Sequence, residues 1–301
     1  AGSITTGATH NVAINTESGY LYRAGGGSAG LRIYNLNANP AAPQYVGEWN
    51  DFYVHDVQVV TWTTGALAGR ELAFCCCGGA GVRVVDVTNK ASPVEIGVTS
   101  YPNVEYCHQG WLTEDRRYFI VNDELDEQSF GTPTTTRVID VSDPTNPFWA
   151  DSYTNGSPSI DHNLYVKGNM VFAANYTSGL RIFDISDPFN GVEIGFIDTF
   201  PGSNATSFNG AWSTYPYLPS GTVLISDIQQ GLITVRTQFE RLAFEFPTGT
   251  PERIGPGGTD TLTFNVIEQG VTLNPASVMM HVDTGSGFVG VPAVATGNPD
   301  E

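Results

Sequence analysis

Four of the five histidines stand in series along the chain: His10, His55, His108 and His162, with only His281 outside it. The intervals are 45, 53 and 54 residues. Each histidine opens a similar stretch: H-N-V-A-I, H-D-V-Q-V-V, H-Q-G-W-L and H-N-L-Y-V. A fifth stretch, N-G-A-W-S, begins 47 residues later with Asn209 in the matching place. Imidazole is the commonest side-chain metal ligand, and it titrates near neutrality. Four imidazoles at one level would suit a divalent transition metal such as Mn, Fe, Zn or Cu. Asn209 would add an oxygen or orient a water. Asp56 and Asp161 each adjoin a histidine and are candidates to accept a ring N–H.

Carboxylates come into reach through the stretch at residues 106–127, Y-C-H-Q-G-W-L-T-E-D-R-R-Y-F-I-V-N-D-E-L-D-E. Read as a hairpin, it brings His108 and the acidic run to the same end. Asp123 and Glu124 would then face the histidine. The corresponding positions elsewhere are Asn175 and Tyr176 in one stretch and Asp227 in another. Carboxylates there would give acid–base capacity or further metal ligands. Asp123 and Tyr176 are the candidates for moving protons. Histidines that recur in this way could also serve only to hydrogen-bond a neighbouring repeat's backbone.

The elements that must position these groups are repeats of 45 to 54 residues. Each holds short apolar, β-branched runs separated by turn residues, such as R-E-L-A-F-C-C-C-G-G, G-V-R-V-V-D-V and S-P-V-E-I-G in the second. Such units predict an all-β chain: a β-propeller with five recognisable repeat units of the four-stranded kind, the fifth stopping after its third strand. In a propeller the first strand of each blade lines the axis, which would put the histidines in a ring. Residues 2–6 are a thin candidate for a closing strand. Asp86, Asp140 and Asp184 end the third strands and are expected to fix turns. Trp111 and Trp212 are expected to wedge between blades. After Gln238 the composition shifts to a loop-like stretch and then alternating strands, which reads as a partial β-sandwich (Ig-like) module. The expected domains are 1–238 and 239–301.

Composition limits the partners. With 31 acidic against 13 basic residues the net charge is −18, which opposes binding to nucleic acid or anionic membranes. No apolar run reaches membrane-spanning length, and no leader is visible at the start. Cys75, Cys76, Cys77 and Cys107 fit no paired zinc spacing. They are expected to pack inertly, or to form one disulfide between Cys107 and the triplet.

The stretches Y-C-H-Q-G-W-L-T-E-D-R-R-Y-F, I-D-H-N-L-Y-V-K-G-N, A-N-Y-T-S-G-L-R-I-F-D-I and F-N-G-A-W-S-T-Y-P-Y resemble the choice-of-anchor B family. The resemblance covers residues 9–237. It implies LVIVD-type repeats and a bacterial protein that is secreted or displayed on the cell surface, with an extracellular ligand or protein as partner. It implies no particular activity. Three functions stay open: a binding propeller with a His-lined, metal-holding mouth; a metal-dependent lyase, hydrolase or oxygenase using the same histidines; and a structural extracellular spacer.

Overall fold

The computed structural model describes residues 8–26 and 30–237, and the backbone of four further strands at 241–245, 265–269, 279–283 and 288–292. The chain divides into two compact units, Ala1–Arg236 and Thr237–Glu301.

The first unit is a five-bladed β-propeller built of antiparallel meanders. Blade one is β1 (Asn11–Asn15), β2 (Tyr20–Ala24), β3 (Leu31–Asn35) and β4 (Gln44–Trp49). Blade two is β5 (Asp56–Thr61), β6 (Glu71–Cys76), β7 (Val82–Asp86) and β8 (Val94–Thr99). Blade three is β9 (Cys107–Leu112), β10 (Tyr118–Asp123), β11 (Thr135–Asp140) and β12 (Phe148–Thr154). A short helix, α1 (Asp126–Phe130), sits between β10 and β11. Blade four is β13 (Asn163–Lys167), β14 (Met170–Ala174), β15 (Leu180–Asp184) and β16 (Val192–Ile197). Blade five has three strands, β17 (Ala211–Tyr215), β18 (Thr222–Asp227) and β19 (Gly231–Arg236). The first strands pack in sequence, β1 on β5, β5 on β9, β9 on β13 and β13 on β17.

The hydrophobic core is divided among the blade interfaces. Tyr22, Ile33, Val57, Val59, Cys75 and Val85 fill the first. Phe74, Cys76, Val82, Cys107, Phe119 and Ile139 fill the second. Ile120, Val138, Leu164, Val171 and Phe183 fill the third. β6 and β10 are buried at every position, because each is a middle strand with a blade on both faces. Each large side chain removed from water in this way contributes about 1.5–3 kcal/mol. Alternation along β6 explains the cysteine triplet: Cys75 and Cys77 face blade one, and Cys76 faces blade three beside Cys107. All four cysteines are buried free thiols that pack in the core, and the alternative disulfide is not formed. Burial pushes the thiols of Cys75, Cys76 and Cys77 well above their usual range.

Turn chemistry follows the sequence expectation. Asp86, Asp140 and Asp184 each accept the backbone N–H two residues on, from Thr88, Ser142 and Ser186 at 2.8–2.9 Å. Trp111 stacks edge-on against Tyr165 of the next blade at 4.8 Å, the wedge expected of it. Side-chain amides also bind blade to blade: Gln58 accepts from Leu112 N, and Gln109 from Leu164 N.

In the second unit, β20 (Arg241–Glu245) pairs with β21 (Asn265–Gln269), and β22 (Met279–Asp283) with β23 (Phe288–Pro292). The β-sandwich expected there, and the closing strand expected at residues 2–6, lie largely outside the described residues.

Candidate metal centre

The four histidines of the series form one row at the inner ends of the blades. Ring centroids of His10 and His55, His55 and His108, and His108 and His162 are each 4.1 Å apart, with tilts of 41–44°. The spacing arises because every histidine holds the same place, one residue before the first strand's first regular pair. Asn11 pairs with Ala24, Asp56 with Cys76, Gln109 with Asn122 and Asn163 with Ala174. His10 is exposed, whereas His55, His108 and His162 are buried.

The register gives the fifth place to Trp212, not Asn209. Cys107 pairs with Asp123 and Gln109 with Asn122, leaving His108 in a bulge. Ala211 pairs with Asp227 and Ser213 with Ser226, leaving Trp212 in the same bulge. The Trp212 ring meets His162 edge-on at 5.0 Å. Asn209 instead donates to Ser207 in its own loop and accepts from Gln229 in the turn after β18. A bulge adds one residue to one strand, which a sequence overlay cannot place.

Backbone carbonyls of the next blade orient two of the imidazoles. His55 Nδ1 lies 3.0 Å from His108 O, and His162 Nδ1 lies 2.6 Å from Trp212 O. A carbonyl only accepts, so both Nδ1 atoms carry hydrogen and both Nε2 atoms keep a lone pair when the rings are neutral. Burial keeps them neutral: it lowers His55 to about 4 and His162 to about 3. His108 is also held well below its ordinary value, by burial and then by its histidine neighbours. Its Nδ1 is buried without a hydrogen-bond partner.

Glu124 closes the group. Its Oε2 is 3.6 Å from His108 Nε2 and its Oε1 is 3.4 Å from His162 Nε2. Ligand-capable atoms of His108, Glu124 and His162 all lie within 4.8 Å of one another. So do those of His10, His55 and His108. Adjacent ligands each about 2.1 Å from a four-coordinate metal are about 3.4 Å apart. The two-histidine, one-carboxylate set therefore fits a divalent transition metal in donor type and in spacing. A lone pair on His162 Nε2 facing a carboxylate oxygen also calls for a cation or proton between them. Burial raises the Glu124 carboxyl, and the hydrogen bond from Tyr176 partly offsets this.

Tyr176 belongs to the same group. Its hydroxyl donates to Glu124 Oε1 at 2.6 Å, and its ring lies 4.4 Å from that of His162. Its backbone is left-handed, with φ of 42°, and it is held there by a two-way bridge to Ala211. For an aromatic residue that conformation is strained.

Most of the remaining predicted residues serve local structure or a different cluster. Asp123 accepts hydrogen bonds from Tyr101 Oη and from the amides of Glu105, Tyr106 and Leu125, so its carboxylate folds the loop ahead of β9. Asp56 accepts from Asn11 and from Val57 N, tying blade two to blade one. Asp227 caps the amides of Gln229 and Gln230. Asn175 is fully buried, and neither side-chain polar atom has a partner. Asp161 points away from His162 into a second acidic cluster with Asp126, Glu127 and Arg137.

The LVIVD repeat family model matches residues 73–100, 137–155 and 162–199. A search of curated proteins finds no match. Among solved structures, the periplasmic gluconolactonase of Pseudomonas aeruginosa aligns with a TM-score of 0.54 at 13% identity, over 74% of this chain and 64% of that one. This chain therefore spans less than two thirds of the gluconolactonase. A functionally unknown protein from Desulfotomaculum acetoxidans aligns with a TM-score of 0.51 at 10% identity, over 77% of this chain and 72% of that one. The chain thus carries LVIVD repeats, and these structures share its fold. Among the described residues no helix is long and apolar enough to cross a membrane.

Proposed function

We propose that this chain is an LVIVD-repeat propeller of the choice-of-anchor B type, secreted or displayed outside the cytoplasm, whose mouth holds a divalent transition metal. His108, Glu124 and His162 hold it, with His55 and His10 as the adjoining nitrogen donors. The observation that carries this reading is the convergence of two buried, neutral imidazoles on one carboxylate at 3.4–3.6 Å. The acidic net charge and the fold shared with a periplasmic protein support the location. The partner class is a small extracellular ligand with an oxygen donor, or a protein that presents one.

The test is elemental analysis of protein purified without chelator, beside the His108→Ala/His162→Ala double variant. Near-stoichiometric Mn, Fe, Zn or Cu in the parent and its loss in the variant support the reading. Equal metal in both, or no metal in the parent after reloading, sinks it.

Tyr176 favours a second reading, metal-assisted hydrolysis. A bound divalent metal supplies Lewis-acid polarisation of a carbonyl and a water of lowered pKa. Glu124 is placed to accept a proton from an attacking water and to pass it to the leaving oxygen, with its carboxyl held in position by the Tyr176 hydroxyl. A sugar-acid lactone is the substrate class to try first, by analogy of fold alone. Base-consumption assays on gluconolactone with the metal-loaded parent and with Tyr176→Phe test it. Opening at the spontaneous rate in both discards this reading and leaves the binding one.

A further inference from the structure

A second cluster lies where blade three meets the strand that opens blade four. Asp126 and Glu127 start α1, Asp161 precedes β13, and Arg137 sits on β11. All four are at least nine-tenths buried. Ligand-capable oxygens of the three carboxylates lie within 4.8 Å of one another.

Their hydrogen bonds leave a consistent remainder. Asp126 Oδ2 accepts from Arg137 and, at 2.9 Å, from Thr132 Oγ1. Asp161 Oδ2 accepts from Arg137 at 3.3 Å. Glu127 Oε1 accepts from Asp161 N at 3.0 Å. The second oxygen of every carboxylate, Asp126 Oδ1, Glu127 Oε2 and Asp161 Oδ1, is buried with no partner. One unpartnered buried carboxylate oxygen is costly. Here there are three, one from each member of the cluster. The charge is unbalanced in the same sense: when ionised, the three carboxylates face one guanidinium, leaving two negative charges, the charge of one divalent cation.

We infer that Asp126, Glu127 and Asp161 form a site for a hard divalent cation, of the calcium or magnesium kind, separate in its ligands from the histidine centre. All three protein donors are oxygens, which select hard cations over the transition metals that suit imidazole. Arg137 holds Asp126 and Asp161, and the Asp161 amide holds Glu127, through oxygens the cation does not use. The site joins blades three and four. It also lies two residues after Glu124 and one residue before His162, so an ion here fixes the backbone that carries two ligands of the mouth.

The experiment uses the His108→Ala/His162→Ala variant as background, so that failure of the histidine centre does not decide it. Chelator-stripped protein is titrated with calcium, then with magnesium, by calorimetry and by thermal unfolding. We expect saturable one-to-one binding and a rise of several degrees in the unfolding midpoint, since a ligand that binds only the folded state stabilises it. Glu127→Gln keeps the shape and the acceptor for Asp161 N, and it should fold with binding weakened at least tenfold. Asp126→Asn is the second variant, with the same expectation. Absence of both heat and midpoint shift at millimolar calcium and magnesium overturns the inference, because protons rather than a cation then neutralise the cluster. Equal binding in the parent background and in both variants overturns it as well.

Discussion

The phenol of Tyr176 and the carboxylate of Glu124 meet across 2.6 Å, although blade three supplies one and blade four the other. Both residues follow the second strand of their blade. The equivalent position thus carries an acid in one blade and its hydrogen-bond donor in the next. The Tyr176 hydroxyl is itself held well above its ordinary range, first by burial and then by the adjacent carboxylate. It therefore donates its hydrogen rather than losing it.

Tyr176→Phe should weaken metal binding at the mouth by about 10–100-fold, the usual effect of losing a partner that orients a ligand. The Glu124 carboxyl, already raised by burial, should rise further without that donor. The loss should thus be greatest at acidic pH. Competition with a chromophoric chelator between pH 5 and 8 checks this, and a pH-independent effect would contradict the proposed role.

The buried histidines give a defined pH dependence. His162 has a folded value of about 3, below the usual 6.5. The unfolded chain therefore takes up the proton first as pH falls. The stability contribution is fully present above 6.5 and declines toward 3, by up to about 1.4 kcal/mol per pH unit. The raised Glu127, about 9 against the usual 4.5, works oppositely, losing its contribution as pH rises from 4.5 toward 9. Only a difference isolates the histidine. The urea stability of metal-free parent minus His162→Asn should be flat from pH 8 to 7 and fall below 6.5. A flat difference down to pH 4.5 would show that His162 protonates freely in the fold.

Trp212→His should fold and place a fifth imidazole in the row. The carbonyl of residue 212, not its side chain, orients His162. The lost edge contacts of Trp212 with His162 and Tyr176 should cost about 0.5–1.5 kcal/mol. Urea unfolding measures that loss. Histidine proton resonances should show one additional imidazole.

Gly97→Ala should destabilise by about 1–3 kcal/mol, as overpacking does. A Cβ on Gly97 of β8 would collide with Pro144 O in the turn of blade three. Gly47 of β4 stands in the same relation to Lys90 O of blade two. Denaturant midpoints for both alanine variants check this, with Gly221→Ala as a contrast at a site where a Cβ meets nothing but φ is +73°.

The blades and the histidine row were legible in the sequence because each repeat states them again. Hydrophobic alternation gave the strands, and equal offsets gave the row. Glu124 was legible through the hairpin that carries it back to His108. The rest depended on contacts across blades. D-E-L-D-E reads as one acidic run, yet Asp123 is taken up by loop amides, Glu124 faces the histidines, Asp126 turns inward on α1 to Arg137, and Glu127 turns to the amide of Asp161. Nothing local to those residues distinguishes them. The guanidinium that draws Asp126 inward lies eleven positions away, and Asp161, which Glu127 meets, comes from another repeat. Trp212 was missed for a geometric reason, since the bulge that seats it in the row displaces the overlay that suggested Asn209.

The carbonyls that aim His55 and His162 belong to the following blade in each case. Blades two and four therefore do not own the orientation of their histidines; blades three and five do. Deleting or transplanting one blade would leave the preceding imidazole chemically intact but free to turn. Blade order is in this sense part of the site, and the smallest piece of the molecule that retains one aimed imidazole is a pair of consecutive blades.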